Sequence, residues 1–185
     1  MPTSRKRKKR TTSTRLETVA LALGGNLPGG LPGDSGPVER TLSWALRQLR
    51  MIFADLRVAS LYRSVAVSPV PQPDYLNTAA IGHTRLEPEA VLAICKALEA
   101  EAGRERNVRF GPRPLDVDIL LWGDRVSDRP ELTLPHPRLR ERRFVLEPLA
   151  DIAPDWRVPP EGSTVRELLE QVGEQGVERV GWSRQ

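Results

Sequence analysis

Cysteine and histidine are scarce in this chain, and long apolar runs are missing. Cys95 is the single cysteine, and His83 and His136 are the two histidines, which excludes both a disulfide scaffold and a zinc module. No apolar run approaches the roughly 18 residues that a membrane-spanning helix needs. The 185 residues are 39% hydrophobic and 28% charged, so we expect a soluble, cytoplasmic protein with a core that needs no covalent staple.

Acidic residues are missing from the first fifteen positions, which contain seven arginines and lysines. The whole chain has 28 basic and 24 acidic residues. Without the seven, 21 basic residues face 24 acidic ones, so the remainder is slightly acidic. We predict a disordered basic tail over residues 1–16 and a single domain over 17–185. A transit peptide and a nonspecific phosphate-binding arm are alternatives to the solvated arm that we favour.

The apolar pattern predicts two strand–helix–strand units. Residues 19–23, 56–63, 75–84 and 115–122 have the composition of strands, and in the last of these Leu115, Val117, Ile119 and Leu121 are expected on one side. Helical spacing covers 37–53 and 88–102, and Thr164 to Glu167 forms a capping box before a short helix. The order predicts an α+β fold, a ferredoxin-like βαββαβ sandwich. Its antiparallel sheet would have helices packed on one face and extra C-terminal elements.

Two aspartates stand one residue apart in the last of these strands. Because side chains alternate in a strand, Asp116 and Asp118 point the same way. Two neighbouring carboxylates repel unless a cation joins them, and Mg²⁺ takes oxygen ligands from one or two carboxylates plus substrate phosphates. The alternative is the wet face of an amphipathic strand, which we would favour for this motif alone.

Arginines are concentrated just before the aspartates, in a loop that also contains Gly111 and Pro112. Guanidinium groups bind phosphate oxygens in a bidentate manner, so an arginine loop beside two carboxylates predicts a metal–polyphosphate site. The alternative is a solvated loop that neutralises nearby glutamates. The arginines are Arg104, Arg106, Arg109 and Arg113.

Two further clusters carry candidate binding residues. His136 lies between prolines with Arg142 and Arg143 close behind, and we interpret it as a phosphate or ribose contact. Tyr75 and Asn77 share one strand face, which suits a flat heterocycle that needs stacking and hydrogen bonds at its edge. A core tyrosine with a turn-capping asparagine is an equally good interpretation of the second cluster.

Together these motifs resemble one family, 6-hydroxymethyl-7,8-dihydropterin pyrophosphokinase, an enzyme of folate biosynthesis. The resemblance runs from about residue 19 to residue 159. Its motifs are Leu23-Gly-Gly-Asn26, Tyr62-Arg63, Gln72-Pro-Asp-Tyr-Leu-Asn77, Gly111-Pro-Arg-Pro-Leu-Asp-Val-Asp-Ile119, Pro135-His-Pro-Arg-Leu139 and Arg142-Arg-Phe-Val-Leu146.

The resemblance implies a reaction and a set of site residues. Diphosphate would pass from the co-substrate ATP to the pterin hydroxymethyl group, releasing AMP, with two Mg²⁺ ions on Asp116 and Asp118. The implied catalytic arginines are Arg104, Arg106 and Arg113. The implied pterin contacts are Ser64, Val65, Val67, Tyr75, Asn77, Phe110 and Phe144. The implied ATP contacts are Lys96, Glu99, Arg106, Arg113, Ile119, Thr133, His136 and Arg142.

Several positions depart from the commoner family pattern. Gly25 stands where serine is usual, Phe110 replaces a tryptophan, Pro137 a tyrosine and Lys96 a glutamine, and Glu131 falls where some members have arginine. None of these residues is an implied metal ligand.

Two other functions are compatible with parts of the sequence. A nucleic-acid-binding module would share the fold and explain the basic tail, but the strands lack the aromatic motif of such modules. A two-metal nucleotidyltransferase could use the same aspartates and would release pyrophosphate instead of AMP. We expect a monomer that binds the two small-molecule substrates, with no specific nucleic acid and no membrane as partner.

Overall fold

The computed structural model describes residues 12–29, 31, 36–66, 68, 71–103 and 111–182. Ten strands and four α-helices lie within these ranges. The strands are β1 (Thr12–Gly25), β2 (Ala54–Val58), β3 (Leu61–Ser64), β4 (Tyr75–Leu86), β5 (Asp116–Trp122), β6 (Ser127–Arg129), β7 (Leu132–Leu134), β8 (Arg157–Val158), β9 (Ser163–Thr164) and β10 (Val177–Val180). The helices are α1 (Val38–Leu49), α2 (Pro88–Glu101), α3 (Arg143–Ile152) and α4 (Val165–Gln171), with a 3-10 turn at Leu139–Glu141 before α3.

The main sheet is antiparallel and has β4 at its centre, where it pairs with β1, β2 and β3. The strand order is β10-β3-β4-β1-β5, and β2 also pairs with β4. The predicted strand over 56–63 is therefore two strands, which are separated at Ala59 and Ser60. The main-chain N–H of Ala59 still donates to Ala79 O at 2.9 Å, so the break changes the pairing without detaching the chain from β4.

Helices cover both faces of this sheet, so the fold is a mixed α+β sandwich. Val19, Leu21 and Leu23 of β1 pack with α1 and α2 in one buried cluster. Ala20 of β1 and Ile81 of β4 pack with α3 and α4 in a second cluster on the opposite face. The predicted arrangement with helices on one face therefore describes α1 and α2 alone. The physical reason is that the central strands carry apolar side chains on both sides, and both sides need cover.

A bulge in β5 corrects the predicted facing of one leucine. Ala20 of β1 lies opposite Leu121, but Leu21 lies opposite Ile119, so Leu120 is the extra residue. Val117 and Ile119 pack into the cluster beneath α1 and α2, whereas Leu120 and Leu121 both belong to the cluster beneath α3. An extra residue in one strand puts two successive side chains on one face.

The first strand starts earlier than the apolar pattern indicates. β1 includes residues 12–16, which the sequence assigns to the basic tail, because β4 continues to Leu86 and that residue lies opposite Thr12. Residues 1–11 lie outside the described ranges.

Among the helices that are described, none combines the length and apolarity that crossing a bilayer requires.

The C-terminal segment begins with the predicted capping box, which is confirmed. The Thr164 hydroxyl accepts from the Glu167 N–H at 3.2 Å, and a Glu167 carboxylate oxygen accepts from the Thr164 N–H at 2.8 Å. Beyond α4, β10 pairs with β3, and the Trp182 indole donates to Ala59 O at 3.1 Å. The last part of the chain thus returns to the main sheet.

We expect Thr164→Ala to lower the free energy of unfolding by about 1 kcal/mol, because it removes the side-chain acceptor at the start of α4. Urea unfolding followed by circular dichroism measures the loss. Thr164→Ser keeps the hydroxyl and is the matched control; an equal loss in both variants would contradict a capping role.

Candidate active site

The candidate site lies on the sheet face that α3 covers only in part. Gly24 of β1 is opposite Asp116 of β5 on one side and Asn77 of β4 on the other. Val117 and Ile119 point into the cluster on the far face, so Asp116 and Asp118 point to the α3 side. A Cβ on Gly24 would lie 2.9 Å from Asn77 Oδ1, so a side chain here would collide with the asparagine.

The two aspartates face basic groups that come from two loops. Arg113 Nη1 lies 3.1 Å from both Oδ1 and Oδ2 of Asp116. Asp118 Oδ2 lies 3.8 Å from Arg142 Nη1 and 3.7 Å from His136 Nε2. The aspartate side chains are 30% and 37% exposed, so they remain accessible to a ligand. Arg113 of the arginine loop therefore lies beside Asp116, and Arg142 and His136 lie beside Asp118.

The donor set of the aspartate pair fits Mg²⁺. Two accessible carboxylates on one strand face supply oxygen ligands, and this ion usually takes the rest of its shell from phosphates and water. No group of three or more metal-binding side chains occurs in the ranges that the structure describes. The residues present therefore suit an ion that arrives with a phosphate substrate better than a closed structural metal site.

Arg142 has the environment of an anion-binding group. Its Nε is buried and has no hydrogen-bond partner among the described residues. Burial and the nearby Arg138 lower the pKa of Arg142, although a guanidinium stays protonated at neutral pH. Its charged head lies 5.6 Å from the centre of the Phe144 ring. A buried donor without a partner is costly, and an anionic oxygen would remove that cost.

His136 is neutral in this environment. Burial, followed by the charge of Arg142, lowers its pKa to about 4. Its Nδ1 accepts from the Arg138 N–H at 3.2 Å, so the single ring proton must lie on Nε2, the atom that faces Asp118. His136 therefore offers a neutral N–H donor beside the carboxylates.

The amide and aromatic groups lie on the other side of Gly24. Asn77 Nδ2 donates to Ser64 Oγ at 3.0 Å, and Asn77 is 7% exposed. The Tyr75 hydroxyl lies 3.4 Å from Gly111 O. Val65, which follows Ser64, is exposed. Four of the predicted pterin contacts thus occupy neighbouring positions at the ends of β3 and β4.

Asn26 ties three segments of the site together and was missed as a site residue. It is 2% exposed, and its Nδ2 donates to Gln72 Oε1 and to Pro73 O, both at 2.9 Å. Its Oδ1 accepts from the Arg113 N–H at 2.7 Å. The sequence feature that could have identified Asn26 as a site residue is its position directly after two glycines at the end of a buried strand.

The close approach of Pro114 explains why glycine, and not the usual serine, stands at position 25. A Cβ at this position would lie 2.4 Å from Pro114 O. The segment that carries Arg113 therefore packs closer to β1 than the usual serine would allow.

Several other predicted nucleotide contacts have structural partners of their own. Glu99 Oε1 accepts from the Val117 N–H at 2.9 Å, and the Thr133 hydroxyl donates to Arg129 O at 3.1 Å. Ile119 is a buried core side chain that lies opposite Leu21 of β1. Lys96 is exposed on α2, the helix that covers the opposite face. Val67, Arg104, Arg106, Arg109 and Phe110 lie outside the described residues.

This fold and site define a small α+β enzyme that handles phosphate groups. The comparisons with known proteins identify the family. The chain belongs to the 7,8-dihydro-6-hydroxymethylpterin-pyrophosphokinase (HPPK) family, whose model matches residues 20–154.

Curated relatives that carry the name 2-amino-4-hydroxy-6-hydroxymethyldihydropteridine pyrophosphokinase include proteins from Synechocystis and Pseudomonas aeruginosa. The Synechocystis protein is 43% identical over 145 residues, which cover 77% of this chain and 74% of the relative. The Pseudomonas aeruginosa protein is 39% identical over 165 residues, which cover 89% and 98%. These relatives bear out the family that the motifs predict.

A solved structure of Plasmodium falciparum HPPK-DHPS has a similar fold, with a TM-score of 0.69 at 13% identity. The match covers 91% of this chain and 45% of that one, so the chain spans less than half of the larger protein. This likeness concerns the fold alone.

We expect Asn26→Asp to lower the free energy of unfolding by about 2 kcal/mol. The substitution keeps the acceptor for the Arg113 N–H. It removes the amide donor to Gln72 Oε1 and Pro73 O and places a carboxylate at a buried position, and both changes are unfavourable. Chemical denaturation measures the loss. Asp74→Asn, on an exposed residue of the neighbouring loop, is the control; wild-type stability in Asn26→Asp would show that Asn26 does not hold the site together.

Proposed function

We propose that this protein transfers the diphosphate of ATP to the hydroxymethyl group of 6-hydroxymethyl-7,8-dihydropterin. The products are AMP and the pterin diphosphate, and the reaction belongs to folate biosynthesis. One observation carries the proposal: the Asp116–Asp118 pair, with its basic neighbours, lies one strand away from the pocket around Asn77. Family membership supports the same reaction.

The aspartate pair would hold two Mg²⁺ ions together with ATP. Bound magnesium neutralises phosphate charge and aligns the reacting groups. Arg113 now takes the charge of Asp116, and it can turn to the phosphates when that carboxylate binds a cation. Arg142 and His136 lie beside Asp118. Arg142 would donate to phosphate or ribose oxygens from its Nε, which has no hydrogen-bond partner among the described residues, and His136 would donate to them from its neutral N–H.

The pterin would lie against Asn77, Ser64 and Tyr75. An amide side chain can pair with the polar edge of a flat heterocycle, while the rings of Tyr75 and Phe144 offer stacking surfaces. The main chain from Ser64 to Val67 would supply further hydrogen bonds. Gly24 leaves room between this pocket and the aspartates, so the pterin alcohol can approach the phosphate chain.

Positioning accounts for most of the proposed catalysis. The pterin hydroxyl attacks the β-phosphorus in line with the departing AMP oxygen, so orientation and charge neutralisation dominate. No described side chain beyond the aspartates is an evident general base. The arginine loop, with Arg104, Arg106 and Arg109, would close over the substrates and exclude water, and Phe110 would lie beside the pterin. The nucleotide would be contacted by Lys96, Glu99, Ile119 and Thr133.

The finer fold assignment is also a proposal. Strands β3, β4, β1 and β5, with α1 and α2 as connections, have the order expected for a ferredoxin-like core. The monomeric and cytoplasmic state, and the lack of a nucleic-acid or membrane partner, stay predictions.

We expect Asp116→Asn and Asp118→Asn each to lower Mg²⁺-dependent AMP formation at least 100-fold, because the variants lose charge that holds the cation and its phosphates. Nucleotide chromatography after incubation with ATP and the reduced pterin measures AMP. Asp124→Asn, in an exposed turn, is the control. Near wild-type turnover in both site variants would overturn the assignment, and pyrophosphate as product would indicate a nucleotidyltransferase.

We expect Arg113→Ala to slow the chemical step about 100-fold, because it removes a charged donor aimed at the phosphate site. Its effect on pterin binding should be smaller. The main-chain contacts between Arg113 and Asn26 survive the substitution, so the fold should persist. Single-turnover kinetics and pterin titration separate the two effects. Arg57→Ala, exposed on β2, is the control, and an unchanged single-turnover rate contradicts the role.

A further inference from the structure

Arg142 occupies a one-residue gap between two helical segments. The 3-10 turn ends at Glu141 and α3 begins at Arg143, while Arg142 itself is extended, with φ −112° and ψ 100°. Arg142 provides no side-chain cap for α3. The N–H groups at the start of a helix lack partners within the helix, so this gap needs an outside group to fix it.

A side chain from the far C-terminal segment fills that need. Gln175 Oε1 accepts from the Arg143 N–H at 2.9 Å, and Gln175 Nε2 donates to Glu141 O at 2.8 Å. One planar amide therefore binds the peptide groups on both sides of Arg142. The donor and acceptor of the amide match the two main-chain groups in this orientation only.

Contacts of the Arg143 side chain bring the segment before Gln175 close to the start of α3. Arg143 Nη1 donates to Val172 O at 3.0 Å, and Arg143 Nη2 lies 2.8 Å from Glu147 and 3.4 Å from Glu174. These contacts hold residues 172–174 against α3 without the glutamine amide. Loss of the amide should therefore loosen the gap at Arg142 while leaving the segment in place.

We propose that Gln175 is a positioning residue for the nucleotide site, which it serves through Arg142. By fixing the peptides that flank Arg142, the amide sets the direction in which the guanidinium reaches toward Asp118 and the phosphates. Phe144, two residues later in α3, keeps its contact with Arg142 in the same arrangement. This inference rests on the proposed function, since that function makes Arg142 a nucleotide contact.

Binding of α,β-methylene-ATP with Mg²⁺ tests the positioning role of Gln175 without turnover. In this analogue a methylene group replaces the oxygen between the α- and β-phosphorus atoms, so the bond that the reaction would break is absent. Calorimetric titration of the full chain should show about tenfold weaker binding for Gln175→Met, which keeps the shape of the side chain but forms neither hydrogen bond. Gln175→Asn, whose amide is one methylene too short to reach both groups, should behave alike. Gln171→Met, at an exposed position at the end of α4, should bind like the wild type.

A double-mutant cycle separates positioning from general stability. In an Arg142→Ala background, Gln175→Met should change the affinity by less than about twofold, because the group that it positions is gone. An equal loss in both backgrounds, or unchanged affinity in the single variants, overturns the proposal. Circular dichroism melts identify any variant that fails to fold, and Gln175→Asn then replaces Gln175→Met in the cycle.

The proposed reaction has its own control in the same preparation. If the wild type forms no AMP from ATP and the reduced pterin, the proposed function fails and this role fails with it. If AMP forms and the cycle is additive, the positioning role alone is overturned.

Discussion

The register of β1 between β4 and β5 is the constraint on which the site depends. It places Gly24 between Asn77 and Asp116, so the amide pocket and the acidic pair face the same way at a fixed spacing. A slip of one residue would turn every side chain of one strand to the other face. Both buried clusters oppose such a slip, because β1 contributes Leu21 to one and Ala20 to the other.

The site is assembled from groups that the chain holds in different ways. The aspartates and Asn77 belong to a sheet that is covered on both faces, and Asn26 fastens the loop that carries Arg113 to the end of β1. Arg142 instead lies in a break between helical segments, and a residue 33 positions later holds it there. Sheet groups can hold the substrates in a fixed geometry, while groups on loops can adjust as phosphate charge enters and leaves.

The sequence allowed prediction of the parts that depend on local patterns. Alternation predicted that Asp116 and Asp118 share a face, and the capping box predicted the start of α4. The bulge at Leu120 and the pairing of β10 with β3 could not be predicted, because they depend on contacts between distant segments. Asn26 and Gln175 were missed for the same reason: their importance lies in main-chain groups that they reach 87 and 32–34 residues away.

The carboxylate of Glu99 has a consequence for how copies of this protein meet. β5 is an outer strand of the sheet, and an outward N–H there invites another chain to add a strand. Glu99 occupies that donor at Val117, and at the opposite border β10 is only four residues long and presents Glu178 and Arg179. These features of β5 and β10 thus discourage growth of the sheet between molecules at these two strands.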